Sequence, residues 1–455
     1  MRTSTAPRAL THRRSSPLET NLLSTPLHFG FFSSFQPPAW HAGTDRTFGE
    51  DWHNGGYHSW LAKRVEDAGF DFLFFEDTSG VSRVLGGNTD MDLRYVLSAP
   101  KNDPVALITY LAAKTSRLGL IATGSTSLYP PFLLARLYAT IDNLSGGRVG
   151  WNIVTSSEDE AAQNYGLDAL PPTNERYAIA DEFMDVVNKL WDSWEPGAVV
   201  KDLENNVYTD PTKVHAIDHV GEHFKVRGPL NSYPSPQKKP LFAQAGGSPR
   251  GREFAARHAE LIMSVTIGGV EAMKEFREDI HARMRAVGRD PREARILYAL
   301  HPYIFESPAA RRAAITDAQL VPVLGKHGAH LGIDLLTFDL EKPLPLDLEV
   351  NGTTSMFESL KEKARRGISL REAIIDFHWG DDALGTTGPA KDVARNLVDA
   401  MEEVGGDGYI FMATQDANGE VIDGLIDELV PELKRIGAMR TDFPGSTFRE
   451  NLFSF

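Results

Sequence analysis

The 455-residue chain has no cysteine. That excludes disulfides, thiolate zinc sites, iron–sulfur clusters and a cysteine nucleophile together, and a reducing cytoplasm suits such a chain. No run of about 18 apolar residues occurs, so no membrane span is expected. Bases are outnumbered: 47 Lys and Arg face 62 Asp and Glu, a formal net charge of −15. Nucleic acid and anionic membrane would both be repelled. There is no Walker loop, no G-x-G-x-x-G and no short internal repeat, which sets aside dinucleotide motifs and solenoids.

Apolar residues make up 42% of the chain, enough for one large barrel with insertions or for two ordinary domains. Residues 1–25 carry Arg2, Arg8, Arg13 and Arg14 among Ser and Thr, with Glu19 the single acid. This reads as a disordered tail, with a composition also found in transit peptides. Residues 26–455 are expected to form one domain.

Short apolar strands alternate with amphipathic helices from Leu27 onward. Strands are expected at Leu27–Ser33, Asp71–Phe75, Arg117–Thr123, Arg148–Val154, Leu241–Ala245, Leu261–Val265, Ile296–Phe305 and Gly408–Ala413. Their near-continuous apolar character suits buried parallel strands. Helices are expected at Tyr57–Ala68, Asp103 to about Lys114, Pro131–Leu144, Asn174–Trp194, Pro249–His258, Val270–Val287, Pro389–Val404 and Leu425–Ile436. Two irregular stretches, 195–238 and 306–370, read as insertions, and Ile374–His378 follows as another short apolar segment. About eight strand–helix pairs point to an α/β fold, a (β/α)8 barrel with insertions.

In such a barrel the active site lies at the carboxyl ends of the strands. Glu76-Asp77-Thr78 follows the second strand. Thr123-Gly124-Ser125-Thr126-Ser127 follows the third, with four hydroxyls in five positions. Asn152, inside an apolar strand, must find partners or cost about 1–3 kcal/mol. The richest segment is Leu241–Gly251, LFAQAGGSPRG. Gly246-Gly247 permits a tight turn, Ser248 sits at an N-cap and Pro249 at N1 of the next helix. With Arg250 nearby, this helix start suits a single phosphate. His215, His219 and His223 recur every four residues, but the glycines around them argue against a helix and a metal site. His327 and His330 lie in the second insertion, where a histidine near a pocket can act as acid or base.

Longer motifs carry a resemblance. Leu144–Ser156 (LSGGRVGWNIVTS), Asn164-Tyr165-Gly166, Glu175-Arg176-Tyr177 through Trp191-Asp192-Ser193-Trp194, Gly221–Leu230 (GEHFKVRGPL), Pro234–Gln237 and Gln244–Gly251 together resemble the bacterial luciferase-like superfamily. The likeness is to its branch of nitrilotriacetate, EDTA, dibenzothiophene-sulfone and long-chain-alkane monooxygenases, and it extends from about residue 27 to the C-terminus.

The resemblance implies a barrel that binds FMN non-covalently. FMNH2 comes from a separate NAD(P)H:FMN reductase, O2 adds at the flavin C4a position, and the hydroperoxide oxidises a small organic substrate. It implies cofactor contacts at Asp77, Thr123, Asn152, Tyr177, Gly247 and Ser248. It implies a substrate pocket at Phe31, Phe32 and Trp40, with His330 as the candidate catalytic residue. No metal is implied; a homodimer or homotetramer in the cytoplasm is. One position departs: Thr173 stands where relatives often carry a histidine. Two alternatives stay open, a flavin-independent hydrolase using Glu76 and Asp77 and a flavin-binding barrel without catalysis.

Overall fold

The computed structural model describes residues 25–38, 40, 45, 47–264, 268–348, 350, 354–379, 382–413 and 418–455. Of the tail assigned to residues 1–25, all but Thr25 lies outside this set.

Eight strands close into a barrel: β1 His28–Ser34, β2 Phe72–Glu76, β3 Gly119–Ser125, β4 Val149–Val154, β5 Leu241–Gln244, β6 Leu261–Ser264, β7 Arg295–Leu300 and β8 Gly408–Met412. Each pairs in parallel with its sequence neighbours, and β1 closes the ring on β8 with His28 opposite Gly408. Helices between consecutive strands cover the outside. They are α1 Gly56–Ala68, α2 Pro104–Ala112, α3 Pro131–Ser145, α4 Thr173–Asp192, α5 Pro249–His258 and α6 Gly269–Ala286. The expected (β/α)8 barrel is therefore the observed fold.

The pleat sorts side chains to the two faces of the wall. Phe29, Phe31, Tyr138, Trp151 and Phe183 join the cluster between strands and helices. Phe32, Phe74, Ile121, Leu261 and Leu297 fill the interior. The chain's last helix, Phe448–Leu452, plugs the amino-terminal end of the barrel with Phe448 and Leu452. A methyl group on Gly119 would meet the Phe448 ring at 2.6 Å, so the strand needs glycine there.

The first insertion forms two small hairpins, Val199–Asp202 with Val207–Thr209 and His219–Val220 with Lys225–Val226. The second is a helical cap: α7 Asp317–Leu331, α8 Thr354–Arg365 and α9 Leu370–Trp379, packed on an apolar cluster of its own. Ile374–His378 is thus the second half of a helix rather than a barrel strand. The expected strand Ile296–Phe305 breaks in two; β7 ends at Leu300, and Tyr303–Ile304 pairs with Thr387–Gly388 instead. Two helices complete the outside, α10 Ala390–Val404 and α11, a run from Gly419 to Arg435 with a π-helical middle. No helix among the described residues is long and apolar enough to cross a membrane.

Candidate active site

A cavity of about 370 Å³ opens at the carboxyl ends of β2 to β5. It brings together Asp77, Thr123, Tyr177, Gly247 and Ser248, five positions distant in sequence. Each arrives by simple local structure. Asp77 follows the last residue of β2, Thr123 is an inward position of β3, and Tyr177 sits in the first turns of α4.

At one end, the turn after β5 leads into α5. Ser248 is the N-cap of this helix; its hydroxyl accepts from the Gly251 amide at 3.1 Å, and Pro249 takes N1, as the sequence signals. The backbone is crowded here. A methyl group on Gly251 would meet the Tyr177 hydroxyl at 2.9 Å, and one on Gly246 the Gln244 amide at 2.6 Å. The Tyr177 phenol bonds to Ser248 and Thr155, and its burial raises its pKa. Two guanidinium groups flank it. Arg250 lies over the Tyr177 ring at 5.3 Å and pairs with Asp181. Arg176, on the cavity wall, donates to Pro171 O at 2.8 Å and to the Thr173 hydroxyl at 3.2 Å. A capped helix start with two hydroxyls, Arg176 on the wall and Arg250 behind the Tyr177 ring has the chemistry to take a phosphate.

Thr123, Ser125 and Gln244 add hydroxyl and amide groups to the wall, while Asn152 lies beside it and does not line the cavity. Asn152 points inward from β4 and donates to Thr123 Oγ1 at 2.8 Å, which donates to Phe75 O at 2.8 Å. Asn152 Oδ1 and Gln244 Oε1 are both buried without a partner. Unsatisfied buried acceptors are costly unless a ligand donates to them. Of the hydroxyl run that ends β3, Thr123 and Ser125 face the cavity. Thr126 and Ser127 instead bond the backbone carbonyls of Val154 and Thr155.

The two acids after β2 have opposite fates. Burial pushes Asp77 up to about 7, with Glu76 and Asp103 adding to the rise against Lys101. Against the same cost of burial, Lys101 and then Lys326 hold Glu76 down at about 2. Lys101 Nζ sits 2.7 and 2.9 Å from the two Glu76 oxygens. Glu76 is therefore an ion-pair partner and a poor general acid.

Other expected site residues lie elsewhere. Phe32 is inside the barrel, stacked on Phe74 at 5.2 Å. Phe31, its neighbour on the pleat, points the opposite way and packs edge-on to Phe70 at 5.8 Å. It belongs to the outer core, which corrects its assignment to the substrate pocket. Trp40 is 56% exposed and lines none of the cavity. His330 hangs from the last turn of α7 over the barrel mouth, beside Glu76 and Lys326 and off the cavity wall. His215 and His219 pair with Glu195 and Glu182, and the His223 amide donates to Glu182.

Three residues went unread in sequence. Gln244 is a polar residue ending an apolar strand, the same signal that marked Asn152. Arg176 precedes Tyr177 in a quoted motif but had no role attached. Lys101 sits in a loop, and nothing in its surroundings announces that it reaches Glu76.

A family model described as luciferase-like monooxygenase matches residues 27–408. The dibenzothiophene-sulfone monooxygenase of Rhodococcus erythropolis is 34% identical over 435 residues, covering 93% of this chain and 95% of that one. The nitrilotriacetate monooxygenase component A of Aminobacter aminovorans is 34% identical over 412 residues, covering 87% and 89%. The crystal structure of a long-chain alkane monooxygenase superposes with a TM-score of 0.80 at 32% identity, covering 95% of this chain and 96% of that one. With the closed barrel and its strand-end cavity, these likenesses over nearly the whole length make this enzyme a member of the luciferase-like monooxygenase family.

Proposed function

We propose that the enzyme is an FMNH2- and O2-dependent monooxygenase of a small organic substrate. The observation that carries this reading is the cavity itself, with a helix start suited to a phosphate on its wall and two unpartnered buried acceptors, Gln244 Oε1 on the wall and Asn152 Oδ1 beside the wall residue Thr123. FMN has both features, a phosphate and a ring edge with N–H donors. Gly247, Ser248 and Tyr177 would hold the phosphate, with Arg176 and Arg250 supplying positive charge. Arg176 also answers the missing histidine, since its guanidinium bonds the Thr173 that replaces it. Asp77, Thr123, Asn152 and Gln244 would face the ring system.

Bound reduced flavin supplies the chemistry that activates dioxygen. The chain's own residues set the conditions. Leu128, Tyr129, Ile153 and Phe254 on the cavity wall keep water away. Asp77, titrating near neutrality, can hold or release a proton beside the ring. Solvent reaches His330, yet the surrounding protein and the Lys326 charge push its imidazole below the ordinary range. It is therefore neutral at pH 7 and would meet substrate as a hydrogen-bonding group rather than as a strong base. Phe32 would contribute an apolar wall.

The reductase is read as a separate protein, a division that the name "component A" supports for the relative that bears it. A cytoplasmic homodimer or homotetramer completes the reading. Anaerobic titration with FMNH2, followed by oxygen uptake with a generic flavin reductase over sulfones, alkanes, aminopolycarboxylates and heterocycles, tests it. Failure to bind reduced FMN at micromolar concentration overturns it, as does substrate turnover without flavin and oxygen.

A further inference from the structure

The cavity wall holds a carboxyl group that the flavin reading leaves unused, that of Glu158. It stands after β4, at the N-cap of the short helix Asp159–Asn164. The side chain at an N-cap commonly accepts from one of the helix's free amides. Glu158 does not; its carboxylate accepts instead from the Thr78 hydroxyl, on the loop after β2. Thr78 lines the same cavity, and its amide donates to the neighbouring Asp77 carboxyl. One residue is thus bonded on two sides, by its amide to Asp77 and by its hydroxyl to Glu158.

The two loops are fastened to each other around this contact. Asn164 Nδ2 donates to Ser79 O at 2.8 Å. A methyl group on Gly80 would meet the Ala161 amide nitrogen at 2.9 Å, so the two backbones touch there. Ser156 has a φ of +59°, a left-handed conformation on a residue other than glycine, and its hydroxyl lies 2.8 Å from that of Ser125 at the end of β3. Backbone strain of this kind persists where the surroundings over-determine it. These contacts hold Ser79 and Gly80 independently of Glu158; what Glu158 adds is the orientation of Thr78. The charged and titratable groups around the two acids are Glu76 with its partner Lys101, Asp103, which accepts from the Tyr129 phenol, and Glu160. Arg176 and Tyr177 share the cavity wall, and Tyr138 is near enough to feel the Asp77 charge.

We propose that Glu158 is a positioning residue for Asp77: by taking the Thr78 hydroxyl, it holds the Thr78 amide on the Asp77 carboxyl. An amide donor favours the ionised form of a carboxyl. Burial drives Asp77 up, and the Thr78 amide opposes the rise. The grip of Glu158 on Thr78 therefore helps set the pH at which Asp77 exchanges its proton. This rests on the monooxygenase reading, in which Asp77 faces the flavin ring, and adds the residue that tunes it.

The test is infrared titration of the full-length protein, without flavin, between about pH 5 and about pH 9. A protonated carboxyl has a C=O stretch that its carboxylate lacks, and the band lost in Asp77→Asn identifies Asp77. Glu158→Gln keeps an acceptor for the Thr78 hydroxyl, and Glu158→Ala does not. Both remove the charge, so their difference reads the hydrogen bond. The Asp77 midpoint is expected at least about half a pH unit higher in Glu158→Ala than in Glu158→Gln. Thr78→Val should raise it likewise, and Thr78→Ser should leave it at the wild-type value. Equal midpoints in the Ala and Gln variants overturn the proposal, as does a wild-type midpoint in Thr78→Val. A merely structural Glu158 would lower the melting temperature without moving the midpoint. If Glu158→Ala does not fold, the two Thr78 variants decide on the same terms. A spectrum in which Asp77→Asn loses no band also overturns the proposal, since Asp77 then has no proton to tune. The titration needs neither flavin nor turnover, so its failure is distinguishable from failure of the monooxygenase reading, which FMNH2 binding judges.

Discussion

At the scale of single residues, neighbours in sequence acquire opposite chemistry from their surroundings. Glu76 and Asp77 read identically as strand-end acids, but a bidentate lysine holds one charged while burial keeps a proton on the other near neutrality. Asp77 binds its proton more tightly folded than unfolded. Stability linked to it is present below the ordinary value of 3.8 and lost as pH rises to about 7. Asp77→Asn should therefore flatten the fall in melting temperature across that window; parallel pH profiles of variant and wild type would contradict the assignment. Ser248→Ala should weaken FMN binding by about 1 kcal/mol, roughly fivefold, the order of one hydrogen bond. Fluorescence titration of FMN reads this directly, and Ser248→Thr, which keeps the hydroxyl, should restore most of the affinity.

At the scale of elements, legibility followed burial. Barrel strands buried on both faces read as apolar runs, and helix α5 was located to the residue because Ser248-Pro249 marks its start. The cavity residues at strand ends were legible for the same reason: a polar group inside an apolar run has to be explained. Ile374–His378 was not, because five apolar and polar residues fit a strand or half a helix, and the cap that packs on them is distant in sequence. Phe31 was misplaced because a resemblance names positions while the pleat decides which of two adjacent rings points inward. Lys101 was invisible because loop residues carry no period. Helix α7, which presents Lys326 and His330, shows a further constraint. A methyl group on Gly325 would meet Leu97 at 2.6 Å and Leu85 at 2.7 Å, so the helix leans directly on the segment after β2. Gly325→Val should overpack that contact and destabilise by about 1–3 kcal/mol. Urea denaturation measures the loss, and a midpoint equal to wild type would show that the leucines yield freely.

At the scale of the whole molecule, barrel and cap are joined through buried imidazoles. His301 comes from the barrel, His327 and His378 from the cap, and all three are depressed by burial. The groups facing them are Lys326 on α7, Arg311 before it, His330, and across the mouth the Glu76–Lys101 pair. Protonating the imidazoles adds like charge to a corner already positive. The sign follows from linkage: unfolded histidines take protons near 6.5, whereas folded His301 does so near 4. Their stabilising contribution is complete above about 6.5 and is lost as pH falls toward 4. Cap and barrel should therefore loosen in mild acid before the rest of the barrel melts. Trp379 reports on this, since its ring stands 4.6 Å from that of His378. Its emission should shift between neutral pH and pH near 5, and the double variant His327→Gln, His378→Asn should shift less. An identical acid transition in that variant would place the sensitivity elsewhere, among the carboxylates that dominate this acidic surface.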